Sequence, residues 1–195
     1  EFSGWTDKPD TMPANDIVVN GTTAPKTYTV TWKVGDEVVG TTDVKYGDKL
    51  VAPDYTPAEG YDFEWVDVPD TMPADDALVI SGKLTAKTYT VTWNVNGEKV
   101  GKTTVKYGDA IADYDYTAPD GYTFSGWTDK PDTMPASDIT VNGTTTANGY
   151  KVVWNVNGEK VGETTVKYGD AIADYDYTAP EGYEFSGWTD KPDTM

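Results

Sequence analysis

The chain has 195 residues, and 33 Asp and Glu against 15 Lys and Arg give it a formal charge of −18. This excess of acid repels phosphate backbones and anionic lipid surfaces, so it excludes an electrostatic nucleic-acid binder. The absence of Cys and His excludes disulfides, thiolate nucleophiles, sulfur-based zinc sites and the commonest general base. No apolar run approaches the roughly 20 residues of a membrane-spanning helix, so no membrane insertion is expected.

A repeat of 61 residues organises the sequence. It is clearest in the segment YTVTWNVNGEKVGKTTVKYGDAIADYDYTAP, which starts at Tyr89, recurs at Tyr150 with few changes, and recurs in diverged form at Tyr28. A second signature, GY-x-F-SGWTDKPDTM, follows in the two later copies. We therefore predict four parts: the C-terminal part of a preceding repeat (1–25), repeat one (26–86), repeat two (87–147) and an incomplete repeat three (148–195).

Repeat one departs from the second signature. Its sequence there is GYDFEWVDVPDTMPADDALVISG, in which one residue is lost before Trp65 and one is gained near Ala77. Gly82 and Gly143 consequently return to the common spacing of 61 residues. Such slippage is typical of surface turns and of the starts of strands, where insertions and deletions are tolerated.

Repeat two begins with a predicted β-hairpin. In 89–95 apolar and polar residues alternate, which places four apolar side chains on one face of a strand. Asn96 and Gly97 are the residues that a type I′ turn prefers. The following segment, 98–107, is therefore predicted to return as the second strand of the hairpin.

The second half of the repeat predicts two more strands. After the turn at 107–109, residues 110–114 are expected to make one or two helical turns before Pro119 and Gly121 end them. Strands are predicted at 122–128 and 137–145. Each repeat is thus expected to be a small, mainly β unit of about four strands and a short helical turn.

Trp93, Trp127 and their copies are expected to form the core of each unit. A domain of about 60 residues buries only about 60% of its unfolded surface, so it depends on large side chains to become stable. The alternative role for these indole rings is a platform on which sugars stack.

The order of the motifs YTVTWNVNGEKVG, VKYGDAI, P-x-GYTFSGW and TMPASDITVNGT is similar to the Listeria-Bacteroides repeat, also met as the B-repeat of internalin-type surface proteins. The resemblance covers essentially the whole chain. It implies β-grasp-like sheets in tandem on secreted or cell-surface bacterial proteins, and hence an extracellular location. The sequence departs from the family pattern in three places: Trp replaces the commoner Phe of the first strand, NGTT ends the last strand, and repeat one lacks the Gly before Trp65.

Acidic residues offer the main candidate for a metal site. Asp109, Asp113 and Asp115 supply hard oxygen ligands suited to Ca²⁺ within seven residues, but their spacing matches no EF-hand loop. Solvated turn carboxylates are the simpler interpretation, since Ala52 replaces Asp113 in repeat one. A site copied in tandem is also unlike the single asymmetric pocket of an enzyme. We therefore predict no enzyme, no cofactor and no metal site.

Four tyrosines are the candidate partner-binding residues. They alternate with acids just before a proline, so some of the rings are expected to remain partly exposed, and exposed Tyr is favoured at interfaces. If the array binds a host protein or a glycan, the contact is expected at Tyr114, Tyr116, Tyr175 and Tyr177. The alternative is that these rings cover the edge of the sheet or contact the next repeat.

The junctions between repeats are short. They read TTAPKT, KLTAKT and TTTANG, so neighbouring units should be coupled in orientation and form an elongated array. The leading hypothesis is a structural stalk or filament segment of a bacterial extracellular protein. The first alternative is an adhesive module that binds a host protein or glycan through many weak sites.

A second alternative is a self-assembling polymer. Residues 1–12 are identical to residues 184–195, so the chain starts and stops at related points of the repeat. The first interpretation of this identity is that the sequence is a window on a longer array of repeats, and the polymer is the alternative to it. Identical chains could complete each other head to tail if residues 13–23 of one molecule supplied the strand that follows Met195 of another. The expected partners are therefore neighbouring repeats or identical chains.

Overall fold

The structure is a computed structural model that describes residues 1–195. It contains twelve β-strands and no helix, so no helix is long and apolar enough to cross a membrane. The chain divides into two compact units, Glu1–Lys87 and Thr88–Met195. A mainly β fold made of repeated sheets is thereby confirmed.

The first unit, Glu1–Lys87, contains a two-stranded sheet in the order β1-β2 and a four-stranded sheet in the order β4-β3-β6-β5. Its strands are β1 (Phe2–Thr6), β2 (Asn20–Thr23), β3 (Thr27–Val34), β4 (Glu37–Lys45), β5 (Tyr61–Trp65) and β6 (Val79–Ala86).

The second unit, Thr88–Met195, contains a four-stranded sheet in the order β8-β7-β10-β9 and a two-stranded sheet in the order β11-β12. Its strands are β7 (Thr88–Val95), β8 (Glu98–Lys106), β9 (Tyr122–Thr128), β10 (Ile139–Ala147), β11 (Gly149–Val156) and β12 (Glu159–Lys167).

The four-stranded sheets share one topology, and the sheet of repeat two illustrates it. Strands β7 and β8 form the predicted antiparallel hairpin, in which Asn96 and Gly97 adopt the positive φ angles of +52° and +86° that a type I′ turn requires. Strand β10 lies parallel to β7 in the middle of the sheet. Strand β9 pairs with β10 in antiparallel orientation and forms the edge of the sheet. The connection between β8 and β9 therefore crosses one face of the sheet.

The helical turn expected at 110–114 was wrong, because this segment has no helical structure. Its start pairs instead with a distant part of the chain: the N–H of Ile111 donates to Asp132 O (3.1 Å), and Ala110 forms a β-bridge with Thr133. Exposed and half-buried residues then alternate from 113 to 119, as in an extended chain. The carbonyl of Asp109, which would accept the first hydrogen bond of such a helix, accepts instead from the N–H of Met134 (2.9 Å).

The core of repeat two lies between the sheet and this connection. Its fully or almost fully buried side chains are Val91, Trp93, Ile111, Met134 and Val141. The prediction for Trp93 is confirmed, since its ring has no exposed surface and its Nε1–H donates to Thr103 Oγ1 (3.0 Å). Trp127 is half-buried and packs against this core. No buried polar side-chain atom lacks a hydrogen-bond partner.

Strand β9 contains a β-bulge that its counterpart β5 lacks. Between Phe124 and Trp127 it carries one residue more than β10 does opposite, and Gly126 there has a φ of +97°. Strand β5 pairs with β6 in uninterrupted register from Tyr61 to Trp65. The residue that repeat one loses before Trp65 is therefore the extra residue of the bulge.

Repeats two and three are joined through Asn148, the single residue between β10 and β11. Its N–H donates to Gly121 O of repeat two (2.8 Å), and its carbonyl accepts from the N–H of Tyr168 of repeat three (2.8 Å). The ring of Tyr168 covers Gly121 so closely that a Cβ atom there would overlap it. It also meets the Tyr122 ring edge to face at 5.5 Å. Backbone bonds and ring contacts thus fix this junction on both sides.

Candidate partner-binding surface

The four candidate tyrosines lie on the connections that cross the sheets. We define the crossover of repeat two as residues 110–119, between β8 and β9, and the crossover of repeat three as residues 171–180. Because the backbone is extended, alternate side chains turn toward the sheet. The tyrosines are half-buried on that side, whereas Asp115 and Asp176 are exposed between them.

The Tyr114 ring packs against the hairpin of repeat two. Its ring stacks on Trp93 with ring centroids 5.9 Å apart and an interplanar angle of 24°, and its hydroxyl donates to Val100 O (3.2 Å). The ring lies directly over Gly101, where a Cβ atom would overlap it. This glycine therefore serves close approach rather than an unusual backbone conformation.

Tyr116 packs farther along the same face. Its ring meets Phe124 edge to face at 5.0 Å and Trp127 at 6.3 Å. The Nε1–H of Trp127 donates to the carbonyl of Tyr114 (3.0 Å), which ties the crossover to strand β9. Both tyrosines are thus part of the aromatic layer of their own repeat and still expose part of their rings.

Repeat three reproduces this arrangement. Tyr175 stacks on Trp154 at 6.0 Å, lies over Gly162, and accepts the Nε1–H of Trp188 at its carbonyl (3.1 Å). Tyr177 meets Phe185 edge to face at 5.1 Å. The structure therefore does not gather the four tyrosines in one pocket, but presents two equivalent pairs, one on each repeat.

A lysine side chain holds each crossover through a hydrogen bond and an ion pair. Lys130 Nζ donates to Ile111 O (2.8 Å) and forms an ion pair with Asp113 (2.6 Å). Lys191 makes the same contacts with Ile172 and Asp174. Sequence reasoning missed this pairing, although repeat one contained the signal: it replaces the lysine by Val68 and the aspartate by Ala52, and both pack against its core.

The acidic residues do not assemble a metal centre. The carboxylate of Asp113 is engaged by Lys130, and no group of three or more acidic side chains lies close enough together to hold a metal ion. Two lysines pair with one carboxylate on the hairpin of repeat three. There the ammonium groups of Lys151 and Lys160, 2.7 and 2.8 Å away, lower the pKa of Glu163 to about 2.

Comparison with known proteins identifies the repeats. The Listeria-Bacteroides repeat domain family matches residues 89–148 and 150–194, which together make up more than half of the chain. Internalin H of Listeria monocytogenes serovar 1/2a is 30% identical over 112 residues, which cover 52% of this chain and 20% of that protein. The chain thus spans about a fifth of the length of this relative.

The comparison with solved structures includes a match of low structural similarity. Streptococcal High Identity Repeats in Tandem domains 3-4, from a cell surface protein, are 19% identical with a TM-score of 0.31, and the match covers 63% of this chain and 99% of that one. The family match rests on the motifs of repeats two and three, whose sheets and crossovers are described above. The chain belongs to the Listeria-Bacteroides repeat family.

Proposed function

We propose that the chain is a structural segment of a bacterial extracellular or cell-surface protein, a stalk that holds other parts at a distance and performs no catalysis. Its family membership and its internalin relative support this role. The observation that carries the proposal is the junction at Asn148, because a spacer must transmit orientation from one repeat to the next.

The junction supplies that coupling with few residues. Strand β10 ends at Ala147 and β11 begins at Gly149, so one peptide unit is bonded to both repeats. The Tyr168 side chain remains 40% exposed, but its ring packs on Gly121 and Tyr122 and adds apolar contact on the same side. A connection this short and this well bonded leaves little conformational freedom between repeats two and three.

We propose that the repeats are residues 26–86, 87–147 and 148–195, and that residues 1–25 are the end of a preceding repeat. The strand order, with a central parallel pair and an antiparallel neighbour on each side, supports a β-grasp-like sheet whose crossing segment is extended instead of helical. Each added repeat would then lengthen the segment by one sheet and one junction.

Spin-label distances test the coupling directly. Because the chain has no Cys, labels can be placed at Lys102→Cys in repeat two and Glu159→Cys in repeat three, both exposed. We expect a narrow distance distribution for the otherwise unchanged chain and a broader one when Tyr168→Ala removes the ring at the junction. Tyr46→Ala, the matching ring of repeat one, is the control and should leave the distribution unchanged. A broad distribution without any junction variant would contradict the stalk.

A multivalent adhesive module is the second candidate function. The observation that favours it is the repetition of two partly exposed tyrosines next to an exposed aspartate on both crossovers. A host protein or glycan held weakly at each pair would be retained by the effective concentration of the second pair. Saturable binding on a protein or glycan array that weakens sharply when Tyr177→Ser alters one pair would support it; equal binding by the altered chain would contradict it.

A further inference from the structure

Three tyrosine rings meet at the junction between repeats two and three. Between ring centroids, Tyr168 of repeat three lies 5.5 Å from Tyr122 of repeat two and 6.4 Å from Tyr150 of its own repeat. The tyrosines of the crossovers differ, since Tyr114 stacks on a tryptophan and Tyr116 meets a phenylalanine. The junction thus brings phenols together across the boundary between two repeats.

These junction rings are open to solvent. Tyr122 is 38% exposed, and Tyr150 and Tyr168 are each 40% exposed. A ring that only fills a core is expected to be covered, as the ring of Trp93 is. Part of each junction phenol is therefore accessible to a small reagent in solution.

The backbone holds Tyr122 and Tyr168 close to each other. The N–H of Asn148 donates to Gly121 O, and the carbonyl of Asn148 accepts from the N–H of Tyr168, each over 2.8 Å. Because Gly121 has no Cβ, the Tyr168 ring can lie directly on it and beside Tyr122. The two rings are therefore neighbours wherever this junction is formed.

Tyrosine recurs at all three positions with the period of the repeat. The three sets of equivalent positions are 61, 122 and 183; 46, 107 and 168; and 28, 89 and 150. Edge-to-face packing needs only the ring, which phenylalanine also has, whereas tyrosine adds a phenol that can lose an electron and a proton. Cysteine, the usual source of cross-links in an oxidising compartment, is absent. The phenols are thus the groups of this chain that suit oxidative coupling.

We propose that Tyr122 and Tyr168 form a modification site, at which an oxidative dityrosine bond joins repeat two to repeat three. The oxidant is hydrogen peroxide, used by a peroxidase that removes one electron at a time. Each phenol loses one electron and its O–H proton, and the two radicals form a C–C bond between ortho carbons. The hydrogen on each of these carbons then moves to the oxygen of the same ring, which restores both aromatic rings. The chain loses two hydrogen atoms, and one peroxide is reduced to two waters.

The geometry favours this pair over other couplings. The two rings meet at 78°, and rotation about the soft χ2 torsions of these partly exposed side chains can bring ortho carbons together. Neighbouring groups in one chain have an effective concentration in roughly the millimolar range, far above that of a dilute protein. Coupling within the chain is therefore favoured over coupling between chains. Tyr122 is favoured over Tyr150 because its ring lies closer to Tyr168.

This modification goes beyond the stalk, because it adds a covalent bond to a junction that is otherwise held by hydrogen bonds and ring contacts. For the proposed extracellular segment, which has no cysteine, it would serve the purpose that a disulfide serves in other secreted proteins. The two proposals fail separately. Spin-label distances in the unoxidised chain test the stalk, whereas peptide masses of the oxidised chain test the cross-link.

The experiment treats the full chain, in dilute solution, with hydrogen peroxide and a peroxidase. Cleavage before aspartates and after glutamates then leaves Tyr122 as the sole tyrosine of peptide 120–128 and Tyr168 as the sole tyrosine of peptide 164–169. We expect these peptides to be joined, with a mass two hydrogen atoms below their sum. This product should exceed cross-links between different molecules by about tenfold or more.

Conservative variants provide the controls. Tyr122→Phe and Tyr168→Phe keep the rings and should each abolish the joined peptide. Tyr116→Phe removes a partly exposed phenol that contacts Phe124 and Trp127, and it should leave the yield unchanged. Oxidation in urea, where the junction is unfolded, should greatly lower the yield.

Three results would overturn the proposal. The first is oxidation of the folded chain without any joined product of peptides 120–128 and 164–169. The second is an equal or larger product that joins 164–169 to peptide 138–159, which carries Tyr150. The third is an equal yield from the folded chain and from the chain unfolded in urea.

Discussion

Repeat one and repeat two build the same four-stranded sheet from sequences that differ in linked places. The strand order and the central parallel pairing are identical, and the buried tryptophans Trp32 and Trp93 make the same kind of hydrogen bond, to Thr42 and Thr103. The differences lie on the connection and on the edge strand. They show that different side-chain contacts can hold the crossover against this sheet, provided that the interacting residues change together.

The fastening of the crossover is ionic in one repeat and apolar in the other. Lys130 and Asp113 pair across repeat two, with 25% and 68% of their side-chain surface exposed. Val68 and Ala52 occupy these positions in repeat one and pack against its core. An exposed ion pair contributes little net stability, which explains why an apolar pair can take its place.

The aromatic layer also changes in a coordinated way. Repeat one has Pro53 at the position of Tyr114, so the space above Gly40 is open, whereas the space above Gly101 is filled by the tyrosine ring. The tryptophan contact survives the change: Trp65 Nε1–H donates to Pro53 O (2.9 Å) as Trp127 does to Tyr114 O. The backbone of the crossover is thus retained while one ring is lost.

The largest difference is expected for an added methyl group at these two glycines. Gly101→Ala should destabilise repeat two by about 1–3 kcal/mol, because the new Cβ overlaps the Tyr114 ring and displaces it. Gly40→Ala should be close to neutral, because its Cβ meets no atom within 4 Å. Hydrogen exchange of the β3 and β7 amides measures both. Equal losses of stability at the two sites would show that the contact between Tyr114 and Gly101 is not what distinguishes the repeats.

The bulge of β9 gives the next comparison. Gly126→Ala should cost about 1–2 kcal/mol, because alanine is strained at a φ of +97° although space is available. Deletion of Gly126 should cost less than this substitution, because it recreates the uninterrupted register of β5. Chemical unfolding of the three chains ranks them. If deletion proves the more damaging change, the bulge has a role beyond the extra residue.

A double-mutant cycle addresses the crossover fastening. Lys130→Val should destabilise repeat two by about 0.5–1 kcal/mol, because it removes the bonds to Ile111 O and Asp113. Adding Asp113→Ala should recover part of the loss, because the pair then matches Ala52 and Val68 of repeat one. The coupling free energy from urea titrations should be favourable. Strictly additive losses would mean that the two positions do not act together.

The smallest effect concerns pH. The pKa of Glu163 is lowered in the folded state, so its ion pairs contribute stability above the ordinary value near 4.5, and this contribution is lost as the pH falls toward about 2. Glu163→Gln should therefore flatten the dependence of the unfolding midpoint on pH between 4.5 and 2. Lys102→Gln at the equivalent position of repeat two is the control and should leave that dependence as it is.

The sequence predicted the strands of repeat two well, because alternation in 89–95 and the turn at Asn96 and Gly97 are local signals. The helical turn at 110–114 was wrong for a non-local reason, since its backbone bonds with 132–134, about 22 residues away. The partly exposed tyrosines could be expected from their alternation with acids. The position of the Tyr114 ring over Gly101 could not be predicted, because it depends on the register of the strands.

Two of the hydrogen bonds at the Asn148 junction use its main-chain atoms and do not depend on its side chain, whose Oδ1 accepts a third bond from Thr123 Oγ1 (2.6 Å). Lys87 and Lys26 stand at the equivalent places, and their peptide groups make the corresponding bonds, Lys87 N–H to Gly60 O and Tyr46 N–H to Lys26 O, each 2.8 Å long. A duplicated 61-residue block would bring both halves of this connection with it. Gene copies of such a block can therefore be gained or lost without any need to redesign the place where they meet.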